Sequence, residues 1–316
     1  MKAKMKMLQK VRAYVDFKRG TGCKFERESQ TLTTFAKYAD RHYPGKPLTI
    51  WLAQKWVETK KNVKPLTKLG LYCSLRGFAR YLKLDDSQVE LIPKNIFVSW
   101  FRRMIPHVYS DAEIHLIMST EPNTRRTPFE KLSHRTIIGL LVSTGMRIGE
   151  ALALQIGDVD LQSGIITVRQ FKKMPMRLIP TSLSVLDKLA KYAEERNAQH
   201  ETSAKAAFFV NSKGKAISYA SFKGTWNKIV TAAGLVEKKS IPRIHDFRHT
   251  FACNHLLRAY KEGRDIDDAI YMLSVYLGHT VIDGTYWYLS ATPEILEECI
   301  KRTEKKLFNS KRGEQS

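Results

Sequence analysis

Apolar side chains recur at helical spacing along most of this chain, and that periodicity constrains the fold more than any other feature of the sequence. The clearest stripe is formed by Leu71, Leu75, Phe78 and Leu82. Its intervals of 4, 3 and 4 residues place these side chains on one face of an α-helix. Pro44-Gly45 and Pro65 interrupt the helical pattern on either side of an earlier stripe. We therefore predict a bundle of about four helices in the first third of the chain.

A short region in the second half of the chain departs from this pattern. Gly164–Val168 is rich in β-branched residues, which favour strands. We predict that it pairs with Arg177–Ile179 through a connection over residues 169–176, and that Ala207–Val210 is a third strand. The expected fold class is therefore mainly α with a small β-sheet (α+β).

Positive charge is concentrated near the N-terminus of this 316-residue chain, whose net charge is +22. Residues 1–107 contain 23 Lys and Arg against 8 Asp and Glu, a net charge of +15, whereas the other 209 residues have 30 against 23, or +7. Such an excess favours a polyanionic partner, nucleic acid first and an anionic membrane surface second. No apolar run approaches the roughly 18 residues that a membrane-spanning helix needs, so no membrane partner is predicted.

A domain boundary is predicted near Pro106–Ser110. Ser110 and Glu113 match a capping box, which marks the start of a new helix. We expect a basic helical domain over residues 1–106 and a second domain over residues 107–316. The cations of the first domain that we expect to contact a phosphate backbone are Lys64, Lys68, Arg76 and Arg80.

The cysteines and the N-terminus indicate a cellular compartment. The cysteines are Cys23, Cys73, Cys253 and Cys299. They are far apart and form no C-x-x-C pair, so neither a zinc ribbon nor a disulfide framework is predicted. The basic N-terminus is not followed by an apolar stretch, which argues against a signal peptide. We expect reduced thiols and a cytoplasmic protein.

Six polar residues spread over about 140 positions form the candidate catalytic set. They are Arg147, Lys172, His245, Arg248, His279 and Tyr288. Two guanidinium groups can hold the non-bridging oxygens of a phosphodiester bidentately. A phenol becomes a nucleophile where cations favour the phenolate or where a base takes its proton. The set therefore suits attack by a tyrosine on a phosphodiester held in a cationic pocket.

A metal site at His245 and His249 is the competing interpretation, since the two stand four residues apart. The residues between them lack the glutamate of H-E-x-x-H, and Arg248 would place a positive charge beside the ion. No third ligand is evident in the sequence. We therefore predict no metal site and no cofactor.

The order and spacing of the candidate residues resemble the tyrosine recombinase (phage integrase) family. The matching segments are Thr144–Glu150, His245–Thr250 and Leu277–His279, followed by Tyr288. In this family the nucleophilic tyrosine usually stands nine residues after the histidine of Leu-Gly-His, which indicates Tyr288 and leaves Tyr286 as the competitor. An acidic residue often follows the first arginine by three positions, as Glu150 does here, and is expected to orient that arginine or a histidine.

The resemblance also implies a lysine that acts as the general acid on the β-hairpin. In the family this lysine stands about eight residues before a proline at the end of the second strand, and counting back from Pro180 indicates Lys172. Thr181 replaces the usual leucine, and the hairpin is one residue longer than in some relatives. Lys173 is therefore the alternative acid, and it is also a candidate contact to DNA.

The implied activity is site-specific cutting and rejoining of double-stranded DNA through a 3′-phosphotyrosyl intermediate, without ATP or a metal ion. Residues 1–106 would be the helical core-binding domain and residues 107–316 the catalytic domain. The family also implies a homo-tetramer on DNA, in which a C-terminal helix bearing Leu296, Ile300 and Leu307 docks on a neighbour.

Other readings of the same sequence remain open. They are a type IB topoisomerase, a catalytically silent DNA-binding regulator on the same scaffold, and a metal-dependent nuclease. The nuclease is disfavoured because the sequence lacks clustered carboxylates. The target sequence is open as well, and so is the choice between a phage, a transposon, a conjugative element and a chromosomal role.

Overall fold

The computed structural model describes residues 5–94, 106–123, 125–169, 176–236, 242–279, 285, 297–298 and 300–301. The chain divides into two units, Met1–Arg103 and Met104–Ser316. No helix within the described residues is both long enough and apolar enough to cross a membrane.

Four α-helices make up the described part of the first unit. They are α1 (Met7–Gly20), α2 (Glu26–His42), α3 (Ile50–Glu58) and α4 (Pro65–Leu82). The predicted stripe lies on α4, where all four of its side chains are buried or half-buried in one core. Pro65 is the first residue of α4, a helical position at which the missing N–H of proline has no intrahelical partner to lose. The helical prediction for this third of the chain is confirmed.

Aromatic side chains pack at the centre of the first unit. Phe35 from α2 and Trp56 from α3 are both buried and meet edge to face, with ring centroids 5.4 Å apart. Trp51, on the same helix as Trp56, is 46% exposed and lies against Tyr43. Five residues separate the two tryptophans, a rotation of about 140° around the helix, so only one of them can face the core.

Seven α-helices lie in the described part of the second unit. They are α5 (Asp111–Ser119), α6 (Pro128–Thr144), α7 (Ile148–Ala151), α8 (Leu183–Asn197), α9 (Tyr219–Ala232), α10 (Asp246–Lys261) and α11 (Ile266–Leu277). The predicted capping box at the start of α5 is confirmed. The N–H of Glu113 donates to Oγ of Ser110 (3.2 Å), and the N–H of Ser110 donates to the Glu113 carboxylate (2.8 Å).

One three-stranded antiparallel sheet lies beside these helices. Its strands are β1 (Val159–Asp160), β2 (Ile165–Val168) and β3 (Arg177–Pro180), in the order β1-β2-β3. The predicted hairpin is confirmed, with Val168 opposite Arg177 and Ile165 opposite Pro180. The connection between these strands, residues 170–175, lies outside the described residues.

The prediction of a strand over Ala207–Val210 is wrong, because this segment forms only isolated bridges. Its backbone groups bond to several different partners rather than to one neighbouring strand. The N–H of Phe208 donates to the carbonyl of Leu154 (2.8 Å), whereas the N–H of Val210 donates to the Tyr192 hydroxyl (3.0 Å). The consecutive apolar residues of this segment reflect burial on all sides. Hydrophobic periodicity does not distinguish such a buried loop from a buried strand.

Gly145 ends α6 and brings α10 close to that end. Its φ of 60° is left-handed, and its N–H donates to the carbonyl of Leu141 (3.0 Å), a common way for glycine to end a helix. A Cβ atom at this position would lie 2.6 Å from Cδ1 of Phe251 on α10. Glycine is therefore required both by the backbone conformation and by the neighbouring ring.

We expect Gly145→Ala to destabilise the protein more than Gly234→Ala. Both glycines have left-handed backbones, with φ of 60° and 68°, so each alanine carries the left-handed penalty of about 1–2 kcal/mol. Gly234 has no atom within 4 Å of the added Cβ, whereas Gly145 meets Phe251, which adds about 1–3 kcal/mol of overpacking. Urea denaturation of the full chain measures the difference, and equal losses in the two variants would refute the close approach of α10.

Candidate active site

Arg147 stands where the chain leaves Gly145 and turns into α7. It occupies the N-terminal cap of that helix. Its backbone N–H donates to Oε2 of Glu150 (2.9 Å), and its Nη1 donates to Oε1 of the same carboxylate (3.0 Å). The Arg147 side chain is 28% exposed, so a guanidinium oriented by the protein is still accessible to a ligand.

Glu150 also binds a second arginine. Its carboxylate is fully buried and accepts hydrogen bonds from Nη2 (2.7 Å) and Nη1 (3.3 Å) of Arg177, the first residue of β3. Burial raises the pKa of Glu150, but the hydrogen bonds and charges of Arg177 and Arg147 outweigh it, and the pKa lies below its ordinary value. Glu150 is therefore ionised at neutral pH and couples the helix that carries Arg147 to the predicted hairpin.

Arg248 is the most deeply buried cation of the candidate set, with 2% of its surface exposed. It lies on α10, and its Nη1 donates to the carbonyl of Gly145 (3.2 Å) while its Nη2 donates to the carbonyl of Leu277 (2.7 Å). Both acceptors are backbone carbonyls, which orient the guanidinium and carry no net charge. These bonds also draw the ends of α6 and α11 together around α10.

His245 immediately precedes α10, three residues before Arg248. His245 is an exposed residue, but desolvation of its ring by the surrounding protein lowers its pKa, and the positive charges of Arg248 and Arg147 lower it further. Its ring lies 5.2 Å from that of His249, at a right angle. His245 is therefore neutral near pH 7 and lies within electrostatic reach of both candidate arginines.

His279 follows the turn that ends α11 at Gly278, whose φ of 66° is left-handed. Burial, then the charges of Arg248, Arg147 and Arg177, lower the pKa of His279 to about 4. Its Nδ1 lies 2.7 Å from Oγ1 of Thr285, a hydroxyl that is completely buried. The two histidines thus respond to the same arginines, which indicates a single cationic cluster.

Four of the six predicted catalytic residues belong to this cluster: Arg147, His245, Arg248 and His279. Lys172 and Tyr288 lie outside the described residues, as do their competitors Lys173 and Tyr286. Of the three apolar residues expected on the C-terminal helix, Ile300 is described and is 57% exposed, whereas Leu296 and Leu307 lie outside the described residues.

The four cations predicted to contact DNA in the first unit differ in their surroundings. Lys64 and Arg80 are exposed, and Lys68 is half-buried. Arg76 donates from Nε to the carbonyl of Ile92 (3.0 Å) and from Nη2 to that of Pro93 (2.7 Å). Part of the Arg76 guanidinium is therefore used to hold the chain that follows α4.

Arg177 is the residue of the site that the sequence analysis did not select. It stands two residues before Ile179, which is fully buried, so the two side chains lie on the same inner face of β3. A cation on the buried face of a strand requires a carboxylate partner, and that requirement was the available signal.

In the described part of the chain, no group of three or more His, Cys, Asp or Glu side chains is placed to hold a metal ion.

Comparison with known proteins decides the family. The phage integrase family matches residues 110–294, which contain the cationic cluster. The chain belongs to the phage integrase family. It is a tyrosine recombinase, an enzyme of site-specific DNA recombination that exchanges DNA strands.

Related proteins of this family match nearly the whole chain. "Putative integrase/recombinase y4rE" of Sinorhizobium fredii is 30% identical over 297 residues, covering 93% of this chain and 94% of that protein. Tyrosine recombinase XerA of Thermococcus kodakarensis is 29% identical over 241 residues, 76% of each chain. A solved structure of the Tn1549 transposon integrase with circular intermediate DNA shares the fold, with a TM-score of 0.68 at 18% identity over 95% of this chain and 100% of that one.

We expect Glu150→Gln to destabilise the second unit by about 3 kcal/mol, because it leaves the buried Arg177 without its counter-charge. Glu113→Gln is the matched control: it alters another capping-box glutamate, but one whose side chain is 26% exposed, and it should cost about 1 kcal/mol or less. Urea denaturation at pH 7 compares the two variants. Similar losses would show that Glu150 acts as a helix cap and not as the centre of an ion-pair network.

The loss in Glu150→Gln should also depend on pH. The folded-state pKa of Glu150 lies below the ordinary value of about 4.3, so its ionised form stabilises the fold above that value, and the stabilisation is lost as the pH falls through the folded-state pKa. The gap in unfolding free energy between wild type and variant is therefore complete at pH 7 and shrinks below about pH 4. A gap that stays constant down to pH 3 would contradict the ionic contribution.

Proposed function

We propose that this recombinase cuts DNA through Tyr288, whose phenolic oxygen attacks the scissile phosphorus and forms a 3′-phosphotyrosyl bond. The bond from phosphorus to the 5′ oxygen breaks, and a 5′ hydroxyl is released. The 5′ hydroxyl of another strand then attacks the same phosphorus and releases the tyrosine. The phosphodiester energy stays in the covalent link, so strand exchange needs no ATP.

The cationic cluster supports this chemistry. The transition state spreads negative charge over the non-bridging oxygens of the phosphate, and planar guanidinium groups match that geometry. Arg147 and Arg248 are both fixed by hydrogen bonds within the protein, so little reorganisation is needed when the charge develops. His279 adds an imidazole donor. Loss of one such preorganised donor typically costs about 10²–10³ in rate.

Two protons must move during cleavage. The phenol of Tyr288 loses one, and we assign its acceptor as His245, because desolvation and the neighbouring arginines keep that exposed imidazole unprotonated near pH 7. The departing 5′ oxygen gains the other, and we assign its donor as Lys172, with Lys173 as the alternative. Arg177 is the first residue of β3, the strand that follows this lysine. Its ion pair with Glu150 supports a hairpin whose second strand is held next to Arg147.

Residues 1–106 are proposed to bind the duplex and residues 107–316 to carry out the chemistry. The net charge of +15 over residues 1–107 supports this division, because cations that neutralise phosphates supply most of the non-specific affinity for DNA. The exposed Lys64 and Arg80 are the stronger candidate contacts in the first unit, and Lys68 and Arg76 the weaker. The Tn1549 integrase, which shares the fold, was solved with DNA.

We also infer the assembly and biological setting of the enzyme. A homo-tetramer on two DNA sites is proposed, with the C-terminal helix bearing Leu296, Ile300 and Leu307 docking on a neighbour; the exposure of Ile300 supports this role. Cytoplasmic action on a mobile element is proposed because relatives include an integrase of a transposon and a protein named integrase/recombinase.

We expect wild-type protein to form a denaturant-resistant adduct with a suicide substrate, and Tyr288→Phe to form none, because phenylalanine lacks the attacking oxygen. The substrates are nicked duplexes drawn from the sequences that flank the gene, incubated without added metal and resolved on a denaturing gel. Tyr286→Phe is the matched control and should retain the adduct. Retention in Tyr288→Phe with loss in Tyr286→Phe would move the nucleophile, and absence of any wild-type adduct would favour the silent regulator.

We expect Lys172→Ala to slow cleavage of ordinary DNA by about 10²–10⁴-fold, the usual contribution of a general acid. Replacing the leaving 5′ oxygen by sulfur should restore most of the rate, because a thiolate leaves without a proton. Single-turnover cleavage of both substrates measures this, with Lys173→Ala as the paired variant. If sulfur rescues Lys173→Ala instead, the acid is Lys173; if it rescues neither, the hairpin does not supply the proton.

A further inference from the structure

A short hydrogen bond joins His279 to Thr285 at the cationic cluster. Nδ1 of His279 lies 2.7 Å from Oγ1 of Thr285, and Thr285 is completely buried. Loss of a partner would be costly for either buried group, so the contact fixes both. Thr285 also stands three residues before Tyr288, and three residues of extended chain span at most about 11 Å. The bond therefore limits how far the proposed nucleophile can lie from His279.

The charge state of His279 makes the direction of this bond important. Burial and the charges of Arg248, Arg147 and Arg177 lower the pKa of His279 to about 4, so the ring is neutral at pH 7. A neutral imidazole carries a single N–H, on either Nδ1 or Nε2. Because Nδ1 faces Thr285, Nε2 is the atom through which His279 would donate to a phosphate.

We propose that Thr285 is a positioning residue: its hydroxyl donates to Nδ1 of His279 and holds the ring in the tautomer that carries its proton on Nε2. This inference rests on the proposed function, in which His279 donates to the scissile phosphate. In the opposite arrangement Nδ1 donates to Thr285, and Nε2 presents a lone pair. That lone pair repels a phosphate oxygen, so the tautomer decides whether His279 stabilises or opposes the developing charge.

The same hydroxyl couples two parts of the reaction. His279 is held by the glycine turn at the end of α11, and its backbone N–H donates to the carbonyl of Ser274 (2.9 Å). Thr285 belongs to the chain that leads to the nucleophile. If Thr285 moved away from His279, Tyr288 would be displaced and the tautomer of His279 would no longer be fixed. Placement of the nucleophile is therefore linked to phosphate binding.

Two substitutions at Thr285 separate the hydroxyl from the shape of the side chain. Thr285→Val keeps the branched shape and removes the hydroxyl, whereas Thr285→Ser keeps the hydroxyl and removes the methyl group. The ring nitrogens of the full-length protein are labelled with ¹⁵N-histidine, and the His279 signals are assigned by their loss in His279→Gln. At pH 7 the N–H nitrogen and the lone-pair nitrogen of a neutral ring have well-separated ¹⁵N shifts, so the tautomer is read directly.

We expect the Nε2–H tautomer in wild type and in Thr285→Ser, and a mixture of tautomers in Thr285→Val. Single-turnover cleavage should fall by between about 10-fold and 10²-fold in Thr285→Val, less than the roughly 10²–10³-fold for loss of a whole donor, and recover substantially in Thr285→Ser. A wild-type ring with its proton on Nδ1, or an unchanged tautomer in Thr285→Val, would overturn the proposal whatever the rates.

A double-mutant cycle with His279→Ala distinguishes positioning from a structural role. If Thr285 acts through the imidazole, Thr285→Val should cause no further loss of rate in the His279→Ala background. A full loss in that background would show that Thr285 supports the segment in another way, and the inference would be wrong. Failure of the proposed function has a different signature: wild type would then form no Tyr288 adduct, although the tautomer measurement would be unaffected.

Discussion

The buried guanidinium of Arg248 holds the candidate active site together. It donates to the carbonyls of Gly145 and Leu277, which end α6 and α11, so one side chain on α10 joins three helices. Two glycines with left-handed backbones, Gly145 and Gly278, cap the ends of α6 and α11. The chain that follows them carries Arg147 and His279 to positions beside Arg248. Burying a charged group without a good set of hydrogen bonds is costly, so these helix ends and Arg248 stabilise one another.

The same burial determines the electrostatics of the cluster. Among the described residues, the cluster contains three arginines: Arg147, Arg177 and Arg248. The carboxylate of Glu150 forms ion pairs with two of them, Arg147 and Arg177. Desolvation by the surrounding protein, followed by the positive charges of the arginines, lowers the pKa of His245 and of His279, so both rings are neutral at physiological pH. A cluster of this kind attracts an anionic group such as a phosphodiester. A neutral His279 can then donate a hydrogen bond to that group without adding a further positive charge.

Local spacing predicted those parts of the structure that depend on neighbouring residues. The capping box at Ser110 and the apolar stripe on α4 follow from offsets of three or four positions. Contacts between segments that are distant in the sequence could not be predicted from local spacing. Arg177 acquires its role from Glu150, 27 residues earlier, and the buried run at Ala207–Val210 resembles a strand although its hydrogen bonds go to separate partners.

A structure of the enzyme joined to DNA through vanadate at the cleavage position tests whether these cations converge on one phosphorus atom, because vanadate adopts the five-coordinate geometry of phosphoryl transfer. The account predicts the Tyr288 oxygen and the 5′ oxygen on opposite sides of the vanadium. It also predicts Arg147, Arg248 and Nε2 of His279 within about 2.7–3.2 Å of the remaining oxygens. Either guanidinium bound to a different phosphate, or another tyrosine in line with the vanadium, would contradict it.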